Sequence, residues 1–109
     1  MCLFCEIASH KQNADIVYED KKIIVFKDIK PKALVHFLIV PKKHIDSINE
    51  LKESDKKLIS DMIFLAKKLA LKYKISKKGY RLTFNVGRGG GQLIDHLHLH
   101  LMSGFKINE

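Results

Sequence analysis

The 109-residue chain is expected to fold as a single α+β domain, residues 1–109, built on an antiparallel sheet of about five strands with one long helix and a short helix. Three observations predict this. Five short β-branched or apolar runs are separated by turn residues. One stretch of helical periodicity lies between the third run and the fourth. No repeat, low-complexity segment or linker divides the chain.

Residues 15–19 (Asp-Ile-Val-Tyr-Glu) and 22–27 (Lys-Ile-Ile-Val-Phe-Lys) flank Asp20-Lys21 and read as a hairpin. After Pro31, the run from Leu34 to Val40 is apolar except for His36, as a strand buried on both faces should be, and Pro41 ends it. His36 shares a face with Leu34 and Leu38 and so needs a polar partner there. Asp46 to Leu51 reads as a shorter helical turn. The long helix is expected over about residues 55–73. Leu58, Ile59, Met62, Ile63, Leu65, Ala66, Leu69, Ala70 and Tyr73 form one stripe, and Lys57, Ser60, Asp61, Lys67, Lys68 and Lys72 lie off it. Ser54 is the expected N-cap, and Gly79 lies past the lysine-rich end. Tyr80 to Val86 reads as a strand, Gly87 to Gly91 as a glycine-rich loop, and Asp95 to Met102 as the last strand.

Composition narrows the function classes. No apolar run approaches the roughly 18 residues needed to span a bilayer, so no membrane partner is expected. Met1-Cys2-Leu3-Phe4-Cys5-Glu6 lacks the basic and apolar regions of a signal peptide, and the expected location is cytoplasmic. The net charge of +8 favours anionic partners, yet 18 of the 20 basic residues are scattered lysines. Sequence-reading proteins lean on arginine for bidentate base contacts, and here there are only Arg81 and Arg88. A solvated lysine-rich surface accounts better for the charge than nucleic-acid binding does.

The chemistry concentrates in His96-Leu97-His98-Leu99-His100. On a strand, side chains at i and i+2 share a face about 6.6–7 Å apart, so three imidazoles line one side while the leucines pack on the other. Such a row suits a His₃ metal site or a catalytic row better than a bland polar face, which would draw on Lys, Glu or Thr. The loop just before it, Gly87-Arg88-Gly89-Gly90-Gly91-Gln92, offers backbone N–H groups without Cβ obstruction, suitable for cradling phosphate. Cys2-x-x-Cys5 suggests a metal or redox role before a disulfide framework. A thioredoxin-like motif would need a strand before it and a helix after; with Cys2 second in the sequence, that reading is not the expected one.

Gly91-Gln92-Leu93-Ile94-Asp95-His96-Leu97-His98-Leu99-His100 resembles the histidine triad (HIT) motif with its preceding Gly-Gln. The resemblance extends to Phe26-Lys27-Asp28-Ile29 with Pro31, to His36 through His44, and to Gly79-Tyr80-Arg81-Leu82 with Asn85. It is nearest to the Hint-like nucleoside phosphoramidases, and so implies a HIT-like fold, a homodimer with sheets joined across a two-fold, and a purine nucleotide (AMP-like) substrate. By this resemblance His98 is the nucleophile. Asp28 holds the ribose hydroxyls, with Phe26 and Ile29 against the base. Asn85, Gly91, Gln92 and His100 surround the α-phosphate, and His36 supports the histidine row. Leu93 stands where many relatives carry a small hydroxyl residue, which removes one phosphate or leaving-group contact. With Glu109 as the last residue, the longer C-terminal segment that contributes to leaving-group selection in Hint-like enzymes is expected to be missing, which bears on substrate choice more than on the nucleophile. The resemblance to bacterial triad proteins and galactose-1-phosphate uridylyltransferases further implies one structural Zn²⁺ per chain on Cys2, Cys5, His44 and His96. His96 is then structural, and His98 and His100 are left for chemistry.

The expected reaction is attack of a neutral imidazole on the α-phosphate of a purine nucleoside phosphoramidate, through a nucleotidyl-histidine intermediate that water hydrolyses. No metal or other cofactor is needed for that step. The alternatives are a dinucleoside polyphosphate hydrolase, a low-turnover nucleotide-binding module, and a zinc-stapled nucleic-acid binder; the last two do not need a nucleophile at His98.

Overall fold

The computed structural model describes residues 2–105. The expectation about the C-terminal end through Glu109 lies outside the described residues. A short helix α1 (Leu3–Ala8) leads into β1 (Ile16–Glu19), β2 (Ile23–Lys27) and β3 (Val35–Pro41). The helix α2 (Lys56–Lys72) follows, then β4 (Arg81–Phe84) and β5 (Leu99–Ser103). The five strands form one antiparallel sheet in the order β1-β2-β3-β5-β4. The expected α+β architecture is the one observed.

Strand alternation divides the core between two faces. Ile23, Val25, Phe37, Ile39, Leu99 and Leu101 meet Met62, Ala66, Leu69 and Ala70 of α2. Ile24, Phe26, Leu38 and Val40 point the other way and meet Phe4 and Ile7 of α1. Each large apolar side chain so buried contributes on the order of 1.5–3 kcal/mol. His36, opposite Met102, and His100, opposite Leu38, are diagonal neighbours on the α1 face. No described helix is long and apolar enough to cross a membrane.

Several boundaries differ from expectation for local reasons. The helix α1 was not legible as one: six residues are too few to be stable alone, and it is held by the burial of Phe4 and Ile7 and by Cys2, whose Sγ accepts from the Cys5 N–H at 3.2 Å. Asp55, not Ser54, starts α2. Its carboxylate accepts from the Lys52 N–H at 2.9 Å and pairs with Lys43 at 2.8 Å, because a 3₁₀ turn over Glu53–Asp55 precedes the helix. Ile63, expected in the buried stripe, is exposed. The short turn shrinks to the 3₁₀ segment Ile48–Glu50, capped by Ser47. Leu34 is exposed and outside β3, in contrast to the expected buried face shared with His36, and it lies against Gly104, where φ is +89° and a Cβ would sit 2.7 Å from the Leu34 Cβ. The last strand begins at Leu99 rather than Asp95, because the chain bends through residues 94–96.

Candidate active site

That bend separates the histidines. His100 lies on β5, His98 just before it, and His96 within the bend, so the three do not form a straight row on one strand. The His98 and His100 rings are 4.8 Å apart, and His100 lies 5.1 Å from His36. His96 turns away and is fully buried, its ring 4.8 Å from that of His44.

Hydrogen-bond partners fix which ring nitrogen of each neutral imidazole carries the proton. The Lys32 N–H can only donate, and it donates to His36 Nδ1 at 3.1 Å. His36 Nε2 therefore carries hydrogen and donates to His100 Nδ1 at 2.9 Å, which puts the His100 proton on Nε2. His98 Nδ1 lies 2.7 Å from the carbonyl oxygen of His96, which can only accept. His98 Nδ1 is thus the donor, and its Nε2 keeps a lone pair. Burial pushes His98 below its ordinary value against the opposing pull of that carbonyl and of Asp28, so the ring stays neutral. Burial, then the neighbouring His98 and His36, pushes His100 down to about 4. The arrangement holds one basic nitrogen, on His98, beside one fixed donor, on His100. That pairing suits nucleophilic attack on a centre whose oxygens need a hydrogen bond.

Asp28 closes the other side. Its Oδ2 lies 3.5 Å from His36 Nε2, and its Oδ1 accepts from the Lys30 N–H at 2.9 Å. Asp28, His36 and His100 are close enough to share an ion, but the two rings spend nitrogens on each other, so no common lone-pair focus remains. Ile29 is 87% exposed and Leu93 77% exposed, both free to meet a ligand. Phe26 differs from its expected place against a base: it is buried in the core, with its ring 5.4 Å from that of Phe4.

The glycine loop also differs from an array of free amides. Gly87 (φ +67°) and Gly91 (φ +85°) let the chain turn back on itself through a 3₁₀ turn at Arg88–Gly90. The N–H groups of Gly90 and Gln92 then bond the Gly87 carbonyl, at 3.1 and 2.9 Å, and that of Gly91 bonds the Arg88 carbonyl at 3.0 Å. Gln92 is buried. Its Oε1 accepts from the Gly87 N–H at 2.9 Å, and its Nε2 donates to the carbonyls of Asp46 and Ile94 at 2.6 and 2.9 Å. Asn85 Nδ2 donates to the Gly90 carbonyl at 2.7 Å. Arg88 grips Asp95 through two bonds of 2.9 and 3.1 Å. These side chains shape the loop.

Beside this site the other two imidazoles meet the two thiols. His96 Nε2 donates to the Pro41 carbonyl at 2.7 Å, and His44 Nε2 donates to Asp46 at 2.6 Å. Each therefore turns the lone pair of Nδ1 toward the sulfurs, at 3.2–3.6 Å for the four N···S pairs. A tetrahedral ion with bonds of about 2.3 Å to sulfur and about 2.0–2.1 Å to nitrogen would have S···N edges of about 3.5 Å. Cys2, Cys5, His44 and His96 thus fit a four-coordinate metal of the kind that prefers thiolate and imidazole together. Burial raises both thiols. Hydrogen bonds with Cys5 and His44 nevertheless bring Cys2 below its ordinary value, while the Cys2 charge helps hold Cys5 above it.

The family profile described as "Scavenger mRNA decapping enzyme C-term binding" matches residues 1–108. An uncharacterized HIT-like protein of Buchnera aphidicola subsp. Acyrthosiphon pisum is 46% identical over 105 residues, 96% of this chain and 92% of that one. The chain belongs to the histidine triad family. Its structure is similar to that of a HIT family hydrolase from Legionella pneumophila, with a TM-score of 0.95 and 48% identity over 99% of this chain and 96% of that one. A histidine triad protein from Clostridium difficile gives a TM-score of 0.93 at 35% identity, over 99% and 94% of the two chains. The HIT motif therefore sits here on a HIT hydrolase fold. Sequence reasoning missed three members of the site: the Lys32 N–H that sets the His36 tautomer, the Asp46 side chain behind His44, and Phe4 beside His98. Only Phe4 carried a signal, its place between the two cysteines.

Proposed function

We propose that this HIT protein hydrolyses purine nucleoside phosphoramidates, with His98 as the covalent nucleophile. The observation that carries the reading is the bond from His98 Nδ1 to the His96 carbonyl, which leaves Nε2 basic. In the first half-reaction a bond forms between His98 Nε2 and the α-phosphorus as the P–N bond breaks. The amine nitrogen keeps the electron pair and takes a proton from water. His100 Nε2–H donates to a phosphoryl oxygen, with its tautomer held by His36. In the second half-reaction water attacks the phosphorus as the bond to Nε2 breaks; its proton neutralises the hydroxide left by the first half-reaction, and the neutral imidazole returns with AMP.

Asp28 takes the ribose hydroxyls, Ile29 and Leu93 offer apolar contacts to base and leaving group, and the turn at Gly91-Gln92 with Asn85 bounds the phosphate. Phe26 backs the nucleoside site from the core. Cys2, Cys5, His44 and His96 hold one structural zinc, which would tie α1 to the bend and leave no open position for water. Two copies pair as a homodimer. The second reading, a dinucleoside polyphosphate hydrolase, uses the same nucleophile with a phosphorylated leaving group, and the decapping description of the matched family favours keeping it. A turnover comparison of an adenosine phosphoramidate with dinucleoside polyphosphates, with His98→Ala as the blank, separates the two. The phosphoramidate should be the faster substrate by kcat/KM, and the reverse order would replace the first reading with the second.

A further inference from the structure

The segment Cys2-Leu3-Phe4-Cys5 carries a residue that the metal cluster does not use. The helix α1 presents both thiols to His44 and His96, yet sends the Phe4 ring onto the sheet, where it is 5% exposed. There it stands edge-to-face against two histidines: 5.0 Å from the His98 centroid at 86°, and 6.1 Å from that of His96 at 68°. Below it lies Phe26 at 5.4 Å. Among the described residues the His98 ring makes one hydrogen bond, at Nδ1. A single hydrogen bond is a soft restraint on rotation about Cα–Cβ and Cβ–Cγ, so the ring plane can still rock and carry Nε2 with it. The packing of Phe4 at 5.0 Å and of His100 at 4.8 Å limits this rocking.

We infer that Phe4 is a positioning residue for His98, holding the imidazole so that Nε2 stays aimed along the line of attack. The inference rests on His98 being the nucleophile, as proposed above. It also gives the Cys-x-Phe-Cys segment a purpose beyond stability. The cluster reaches His98 by two routes, through Phe4 on the helix that carries the thiols and through the carbonyl of His96, whose ring faces those thiols. Phe4 touches no reacting atom, so its effect should fall on the rate of the chemical step and not on nucleotide affinity.

The test uses the full chain as purified, comparing wild type with Phe4→Ala and Phe4→Leu. Four quantities are read: metal content, affinity for AMP, the first-turnover rate of His98 nucleotidylation, and the long-range ¹H–¹⁵N spectrum of the His98 ring. Phe4→Ala should keep its metal and its AMP affinity while nucleotidylation slows by about 10- to 10²-fold, the scale of a small misplacement of a reacting group. Its His98 signals should change from one sharp Nδ1–H tautomer to a broadened or mixed one. Phe4→Leu keeps apolar bulk and should recover most of the rate, and it remains informative if the alanine variant folds poorly. Wild-type rate and ring spectrum in both variants would overturn the inference. So would a loss confined to AMP affinity, which would make Phe4 a substrate contact. If wild type never labels His98, the proposed function fails, and the ring spectrum still decides whether Phe4 positions the imidazole.

Discussion

Two clusters of imidazoles lie side by side in this protein, and they differ in where each ring spends its N–H. In the cluster of His44 and His96, both rings give Nε2–H to oxygen acceptors, Asp46 and the Pro41 carbonyl, and turn Nδ1 toward the same two sulfurs. In the cluster of His36, His98 and His100, two rings are linked head to tail, and the third is anchored through Nδ1 to a backbone carbonyl. The first arrangement converges lone pairs on one point, which is what an ion needs. The second keeps them apart and leaves one basic Nε2 next to one donor. The same side chain is suited to ligate an ion or to act as a nucleophile according to the acceptor placed behind it.

The sharpest way to break this comparison is to disable each cluster in turn. His98→Ala should lower kcat/KM by at least roughly 10³-fold, because a nucleophile acting in concert with its neighbours is not replaced by them. Near wild-type turnover in that variant would end the distinction. Cys2→Ser/Cys5→Ser should remove about one zinc per chain and lower the melting temperature, yet keep measurable turnover. A metal present at 1,000 times its Kd contributes about 4 kcal/mol of stability, which sets the scale of the loss. Elemental analysis and a melting curve check it, and a metal-free variant that is fully folded but wholly inactive would put the ion in the chemistry.

Smaller effects refine the second cluster. His100 has its pKa lowered to about 4 by burial and by its two histidine neighbours. Between that value and the ordinary value near 6.5, the unfolded chain binds a proton that the folded chain refuses. Stability contributed by the neutral ring is therefore complete above pH 6.5 and is lost as pH falls toward 4, by at most about 3 kcal/mol. Denaturant titrations across this window should show the slope, and His100→Gln should reduce it, leaving the part that His36, His96 and His98, also held below their ordinary value, contribute. Asp28→Ala should erase the preference of AMP over 2′-deoxy-AMP, with a loss of about 1.5–3 kcal/mol for a charge-assisted pair. Unchanged affinities for both nucleotides would remove Asp28 from the ribose site.

How much of this was legible in the sequence depended on whether a signal was local. The hairpin around Asp20 could be read because Asp20 Oδ1 itself accepts the N–H groups of Lys22 and Ile23, at 2.7 and 2.8 Å. The long helix could be read because its stripe faces one continuous sheet. Alternation suggested that His96, His98 and His100 share a straight strand, but the chain bends at residues 94–96, where the His96 ring is drawn toward Pro41 and the thiols, far away in sequence. The helix α1 was invisible for the same reason: its stability comes from tertiary contacts of Phe4 and Ile7 with the sheet, not from its own six residues. Gln92 was expected to face phosphate, and only the fold reveals that the Asp46 carbonyl, 46 residues away, takes its amide.

The central claim is that His98 attacks through Nε2 because its Nδ1–H is held by the His96 carbonyl. The most direct test is to incubate the protein with a labelled adenosine phosphoramidate, quench without acid, and map the adduct by mass spectrometry and ³¹P NMR. One nucleotidyl group per chain, bonded to Nε2 of His98, is the predicted result. An adduct on another residue or on Nδ1, or steady turnover with no adduct at any time, would contradict it.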